Sequence, residues 1–313
     1  MSKIVDLLEP DLVYDTNRGL PLSPELKVLI AMNHYGGGHF QRISGLCGGV
    51  SQYAARQALV QVTDSLIAKR NQFIFMPTVA QMEDTSQQMF QRFHLPRFGM
   101  AVDGVQVRFQ DAPRRLPPDK HAQLFWCRKQ FYSLNVQIVA NDRYFCDIDV
   151  SWPGSTHDAR VWTRSQVKPF IEQQRRFLVA GDSGYPISEV LIKPFNTAEA
   201  GDDRRKRLFN QRLSGLRTVM SENLYGVWKR RFPILKALRT DFVLSQKIIV
   251  ATAILFNLGR KFDDEPPDDD DPENDDEQLG IEQDQILVQD EDVVSVRIRG
   301  QAERERLCDN MRI

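Results

Sequence analysis

Apolar positions recur along this chain with two different periods, and the switch between them divides it. Up to about residue 97 the spacing is helical. Ile4, Leu7 and Leu8 mark a short first helix, and Leu26, Val28, Leu29, Ile30 and Met32 follow a start signal at Ser23-Pro24-Glu25. Gly36-Gly37-Gly38 stops that helix. His39 to Leu46, a turn through Gly48-Gly49, and Ser51 capping a longer helix with Ala55, Leu59, Val62 and Leu66 come next. Pro77-Thr78 opens a further helix that passes Met82 and Phe90 and ends near Pro96. Beyond it the period falls to two. Ala101 to Phe109 reads as a strand broken by Gly104, Phe131 to Val139 as a second and Arg143 to Val150 as a third, with a hairpin-type turn at Asn141-Asp142. Pro153-Gly154-Ser155 ends the third strand, a helix opens at His157, and Phe177 to Ala180 is a fourth strand running into a sharp turn at Asp182-Ser183-Gly184. A long basic insertion then leads to a helix carrying Leu213, Leu216, Val219, Met220 and Glu222. Ser245 to Leu258 is apolar nearly all round. It reads as a core helix whose apolar run is too short to span a bilayer.

Three consecutive antiparallel strands, a helix and another strand are the element order of an RNase H-like fold, a fold-level analogy. The expected architecture is α/β: a mixed sheet flanked by helices over 98–262, after an all-α region over 1–97. Within that region, the short helix, glycine turn and capped second helix suggest a helix-turn-helix, with Gln52 and Arg56 on the turns that would meet DNA. A plain helical packing module fits the same pattern.

The formal net charge of −1 conceals a division. Residues 263–313 hold 19 Asp and Glu against 5 Lys and Arg, leaving 23 acidic and 36 basic residues in the body: −14 against +13. A basic body with an acidic tail suits a polyanion-binding protein, and a solvated surface with a solubilising tail is the plainer reading. Residues 263–278 are too charged to fold alone, so the tail is expected to be disordered apart from a short strand through Val293, Val294, Val296 and Ile298 and a short helix over 301–313. A tail that folds back on the basic body would compete with DNA. The four cysteines are scattered, which argues against a disulfide framework or a zinc ribbon, and the N-terminus lacks the apolar stretch of a signal peptide. The expectation is a soluble intracellular protein.

Candidate chemistry lies where strands end. Asp182 follows an apolar strand, a position where open α/β sheets bind ligands, although an Asp before such a turn also serves as a simple cap. Asp103 sits in the first strand and Glu222 on the later helix. Phosphodiester cleavage needs an activated oxygen nucleophile and stabilised charge on the attacking and leaving oxygens. Two Mg²⁺ ions about 3.5–4 Å apart supply both and require hard oxygen ligands.

Four stretches carry a resemblance. They are Ala101-Val102-Asp103-Gly104, Pro153-Gly154-Ser155-Thr156-His157-Asp158-Ala159-Arg160, Gly181-Asp182-Ser183-Gly184-Tyr185-Pro186, and Glu222 through Phe232. Together with the region from Leu20 to Gln52, they resemble the PIF/Harbinger-type transposases and their domesticated nuclease derivatives over about residues 1–262. The resemblance implies a DDE endonuclease acting on double-stranded DNA with Mg²⁺ or Mn²⁺. It also implies that Asp103, Asp182 and Glu222 are the catalytic, metal-holding triad. Asp158 matches a further acidic position, as a fourth ligand or as a helix cap. His157 beside it is read as a satisfied structural histidine. Phosphates would be met by Arg204, Arg205, Lys206, Arg207, Lys229 and Arg230, in addition to Gln52 and Arg56. A Myb-like partner protein, a homodimer and a nuclear location belong to the same set of expectations, and a membrane does not. The Asp182-to-Glu222 spacing of 40 residues is longer than the family pattern, with the surplus expected in a loop over 196–205, and Tyr225 and Trp228 replace the expected Phe and Leu. The competing reading is a non-cleaving DNA-binding or adaptor protein that keeps the fold.

Overall fold

A computed structural model describes residues 1–14, 21–262 and 291–311, with side chains from 294 onward in the last segment. Six helices come first: α1 (Ser2–Leu12), α2 (Pro24–Gly37), α3 (Gln41–Cys47), α4 (Gln52–Ala68), α5 (Arg70–Phe73) and α6 (Val79–Phe93). Three of them start on a side-chain cap. Ser23 Oγ accepts from Leu26 N, Ser51 Oγ from Ala54 N, and Thr78 forms a reciprocal capping box with Gln81.

The sheet follows, as β1 (Phe98–Arg108), β2 (Ser133–Ala140), β3 (Phe145–Pro153), then α7 (Asp158–Thr163), α8 (Val167–Gln173), β4 (Leu178–Ala180) and β5 (Leu191–Ile192). The strand order is β3-β2-β1-β4-β5; β1 pairs antiparallel with β2 and parallel with β4. The architecture is therefore mixed α/β, a five-stranded mixed sheet flanked by helices. Contrary to the sequence reading, β1 runs unbroken through Gly104, which pairs with Gln137.

The remaining elements are α9 (Thr197–Ala200), α10 (Arg204–Arg217), α11 (Asn223–Arg231), α12 (Phe242–Lys261) and α13 (Glu291–Asp309). A π-helical turn, Thr218–Glu222, joins α10 to α11 without a break. The stretch expected as an extended basic insertion is thus largely a helix, capped where Asp203 Oδ1 accepts from Arg205 N. Within the supposed surplus loop, Asn196 and Glu199 form a capping box that opens α9.

Two cores meet along one face of β1. Val105 and Val107 belong to an apolar cluster with α1, α2, α4, α11 and α12. Ala101 belongs to a second, with Phe209, Leu213, Leu216 and Met220 above it and Leu307, Cys308 and Met311 closing its outer side. Alternation along a strand places Asp103 on this same face, between the two. Met100 and Val102 face a third cluster with Trp162 and Tyr185. Helix α12 has the length and apolarity to cross a membrane, more than the apolar run in the sequence suggested, yet it is buried along most of its length. Its Asn257 is accommodated there because Oδ1 accepts from Phe145 N and Nδ2 donates to the carbonyls of Phe145 and Phe73.

The C-terminal segment corrects another expectation. The β-branched run at Val293–Ile298 is not a strand but part of α13. Helix α13 is anchored by Arg304, 3% exposed, which donates to Glu199 and to the Pro194 carbonyl. Packing against β5 and α10 outweighs local β-propensity. The acidic stretch 263–290, expected to be disordered, lies outside the described residues.

Candidate active site

Four separate elements carry carboxylates into this part of the sheet as two adjoining pairs, Asp103 with Glu222 at Arg217 and Asp158 with Asp182 at Gly184. Asp103 comes from the middle of β1, Asp158 from the first turn of α7, Asp182 from the turn after β4, and Glu222 from the π-helical turn. The parallel pairing of Ala101 with Ala180 sets Asp182 beside Asp103. Asp158 reaches in because Gly104 leaves it room: a Cβ on Gly104 would overlap Asp158 Oδ1 and lie 2.9 Å from its Cγ. Similarly, a Cβ on Gly184 would stand 3.2 Å from Asp182 Oδ1 and 3.6 Å from Asp158 Oδ2, so these two carboxylates converge there.

Each carboxylate is oriented by a donor. Asp103 Oδ1 accepts from Gly104 N at 2.9 Å, and its Oδ2 accepts from the Tyr225 hydroxyl at 3.0 Å and Arg217 Nη2 at 2.7 Å. Asp182 Oδ1 accepts from Gly184 N at 2.8 Å. Asp158 Oδ1 accepts from Asn135 Nδ2 at 2.8 Å. Thr218 Oγ1 donates to Glu222 Oε2 at 2.6 Å, while Glu222 Oε1 stands 3.6 Å from Arg217 Nη2. His157, expected to be a satisfied structural residue, is instead exposed at the N-cap of α7 with no side-chain capping bond.

Burial and mutual repulsion dominate the electrostatics. Burial lifts Asp103 to about 6, against Arg217 and Tyr225, and Asp182 and Glu222 push it in the same direction. Burial also raises Asp158 and Asp182, with Asp103 adding to the first and Asp158 to the second. Beneath them the Tyr185 hydroxyl is driven well above its ordinary range, first by burial and then by the three aspartates. Burial pulls Arg217 downward, but Asp103, Asp182 and Glu222 prevail and hold it above its ordinary value. The place demands positive charge.

Residues 102–257 match the family model described as DDE superfamily endonuclease. The chain belongs to the DDE superfamily endonucleases. Among curated relatives it is 28% identical to the protein of Rattus norvegicus named "Putative nuclease HARBI1" over 263 residues, 82% of this chain and 72% of that one. The Homo sapiens protein of the same name is 27% identical over the same shares. The Arabidopsis thaliana "Protein ALP1-like" is 22% identical over 58% of this chain and 47% of its own. No solved structure matches. All four carboxylates fall inside the matched endonuclease region.

Of the residues expected to meet DNA, Gln52 and Arg56 stand apart from this cluster. Gln52 and Arg56 line an open groove of about 450 Å³ with residues 109–115 and 238–241, beyond the C-terminal end of β1. Phe109 is six residues from Asp103, roughly 20 Å at the rise of a strand. Arg56 is already paired with Asp241 at 2.8 Å. On α10, Arg205 meets Asp309 at 3.0 Å, Lys206 meets Glu305 at 2.8 Å and Arg207 donates to the Asp202 carbonyl, whereas Arg204 is exposed. Lys229 and Arg230 on α11 are half-buried.

Arg217, Asn135 and Thr218 are site residues that no sequence motif singled out, and Tyr225 stood out only as a departure from the family pattern. Arg217 precedes Glu222 by five residues, which in an α-helix separates two side chains by about 140°. The π-helical turn brings them together, and nothing in the apolar spacing reveals it. Because the backbone at Gly104 makes room for Asp158, Gly104→Ala should displace that carboxylate from Asn135. The expected result is a loss of about 1–3 kcal/mol of stability, read in chemical denaturation. Wild-type stability in the variant would show that Asp158 has room to spare.

Proposed function

We propose that this chain is a divalent-metal-dependent DNA endonuclease of Harbinger transposase type with an RNase H-like core, in which Asp103, Asp182 and Glu222 form the catalytic set. The observation that supports it most is that Asp103 and Glu222 share Arg217 while Asp158 and Asp182 adjoin at Gly184, with Asp103 raised electrostatically by Asp182 and Asp158 by Asp103. The donors suit Mg²⁺ or Mn²⁺: all are hard oxygens, Asp103 buried and the other three half-buried, with no thiol or imidazole among them. Among the described residues no three His, Cys, Asp or Glu side chains form a ready-made cage. Arg217 accounts for this, since its guanidinium bridges Asp103 and Glu222.

When bound, such ions would activate the attacking oxygen and offset charge on the leaving one. The chain's own contribution is orientation. Gly104 N and the Tyr225 hydroxyl fix both oxygens of Asp103, Gly184 N fixes Asp182, Thr218 fixes Glu222 and Asn135 fixes Asp158, which is proposed as a fourth ligand. Double-stranded DNA is the proposed substrate, and the 3′-oxygen the proposed leaving group, with transfer of that end to a second duplex as its extension. Arg204, Arg205, Lys206, Arg207, Lys229 and Arg230 are proposed to meet backbone phosphates, with Gln52 and Arg56 in the distal groove, those already paired doing so once their partners yield. Binding should weaken steeply as salt rises. Neither a Myb-like partner nor a homodimer is part of this reading. A nuclear location is, and a fluorescent fusion excluded from nuclei would refute it.

The non-cleaving reading is favoured by one observation, the presence of Arg217 inside the cluster. Supercoiled plasmid incubated with Mg²⁺ or Mn²⁺ separates the two. Nicking that EDTA abolishes is the expected result, and duplex binding without nicking in either metal would establish the alternative.

A further inference from the structure

Arg217 has the contacts of a placeholder. Its Nη2 stands 2.7 Å from Asp103 Oδ2 and 3.6 Å from Glu222 Oε1. Its Nε is buried and finds no hydrogen-bond partner among the described residues. The strongest guanidinium–carboxylate pairs match the planar fork with two parallel bonds. Here one nitrogen is shared between two acids while another donor is left buried and unmatched, an arrangement that costs free energy. What retains the side chain is charge, since Asp103, Asp182 and Glu222 all attract it.

Its backbone also sits at the place in the α10–α11 run with the least regular hydrogen bonding. The π-helical turn starts at the next residue, and Ser221 Oγ donates to the Arg217 carbonyl at 3.0 Å. Such turns occur mostly as single insertions inside α-helices and often at functional sites.

We propose that Arg217 is a resident counter-cation, holding Asp103 and Glu222 together until a divalent ion displaces it. A hard dication outcompetes a guanidinium for carboxylate oxygens, because it carries twice the charge and approaches them more closely. Before displacement Arg217 relieves the repulsion among the carboxylates and keeps the fold intact. This deepens the metal-dependent reading and rests on it.

The test titrates Mn²⁺ into the full-length wild type, Arg217→Gln, Arg217→Lys and Asp103→Asn by calorimetry. Removing the competing charge should tighten Mn²⁺ binding by about tenfold or more in Arg217→Gln, and Arg217→Lys should stay near wild type. A merely structural arginine would lower the melting temperature and leave the affinity unchanged or weaker, and that result overturns the inference while the metal site stands. Absence of Asp103-dependent Mn²⁺ binding in every protein overturns the metal-site reading and the inference with it. Wild-type protein provides a second measure that needs no variant to fold. The Arg217 Nε–H resonance should shift on Mg²⁺ titration as the guanidinium leaves, and a resonance unmoved at saturation refutes displacement.

Discussion

Asparagine at position 103 should abolish metal-dependent nicking, lowering the rate by about three orders of magnitude or more, the equivalent of several kcal/mol of transition-state stabilisation. Duplex affinity should stay within severalfold of wild type, because Asp103 is buried and touches Arg217 and Tyr225 rather than any basic surface. A variant that nicks at the wild-type rate would remove Asp103 from the chemistry.

The same substitution has a signature in stability. Burial raises Asp103 from 3.8 to about 6 in the folded protein, so folding favours its protonated form. The resulting stabilisation is complete below pH 3.8 and is lost as pH rises through 6. Wild type should therefore gain on Asp103→Asn by up to about 3 kcal/mol on acidification from pH 7 to pH 4. Parallel denaturation curves over that range check it. A constant gap between the two proteins would mean that the carboxylate is not held in an unfavourable environment.

Truncation after Phe262 should destabilise the protein by about 4 kcal/mol, a fall in melting temperature of roughly 10 °C. Leu307, Cys308 and Met311 close the cluster that includes Phe209, Leu213 and Leu216, and Arg304 is locked to Glu199. The tail therefore cannot be treated as a mere competitor for DNA, because its deletion would uncover a core. Competition is better tested with Glu305→Gln and Asp309→Asn together, which release Lys206 and Arg205 without exposing apolar surface. Those variants should bind duplex several-fold more tightly at low salt while melting near wild type. If the truncated chain melts as the full one does, α13 contributes nothing to the fold.

The contrast between α13 and the carboxylates shows which signals the sequence carries. Asp103 and Asp182 are legible because apolar runs lead up to them and glycines follow, features that belong to their own segments. Helix α13 is illegible because its helical state depends on Glu199, Pro194 and the α10 face, about 100 residues away, while its own valines favour a strand. Strand β5 is two residues long and leaves no alternation to detect. Gly104 looked like an interruption because glycine weakens strands in isolation. Its value lies in the room it gives Asp158, a neighbour 54 positions further along.

The wide turn between α10 and α11 has a consequence for chain length. Phe209, Leu213 and Leu216 point into one core, and Leu224, Tyr225 and Trp228 point into the other. Both sets stay inward only because the extra residue re-phases the helix at the seam where Asp103 lies. Shortening the stretch from 218 to 221 by one position would rotate everything after it by about 100°. Such a protein would have to turn either its α10 stripe or its α11 stripe outward, and Glu222 would swing away from Asp103 in either case. Among descendants of this sequence, the number of residues separating Arg217 from Glu222 should be as diagnostic of a working nuclease as the acids themselves.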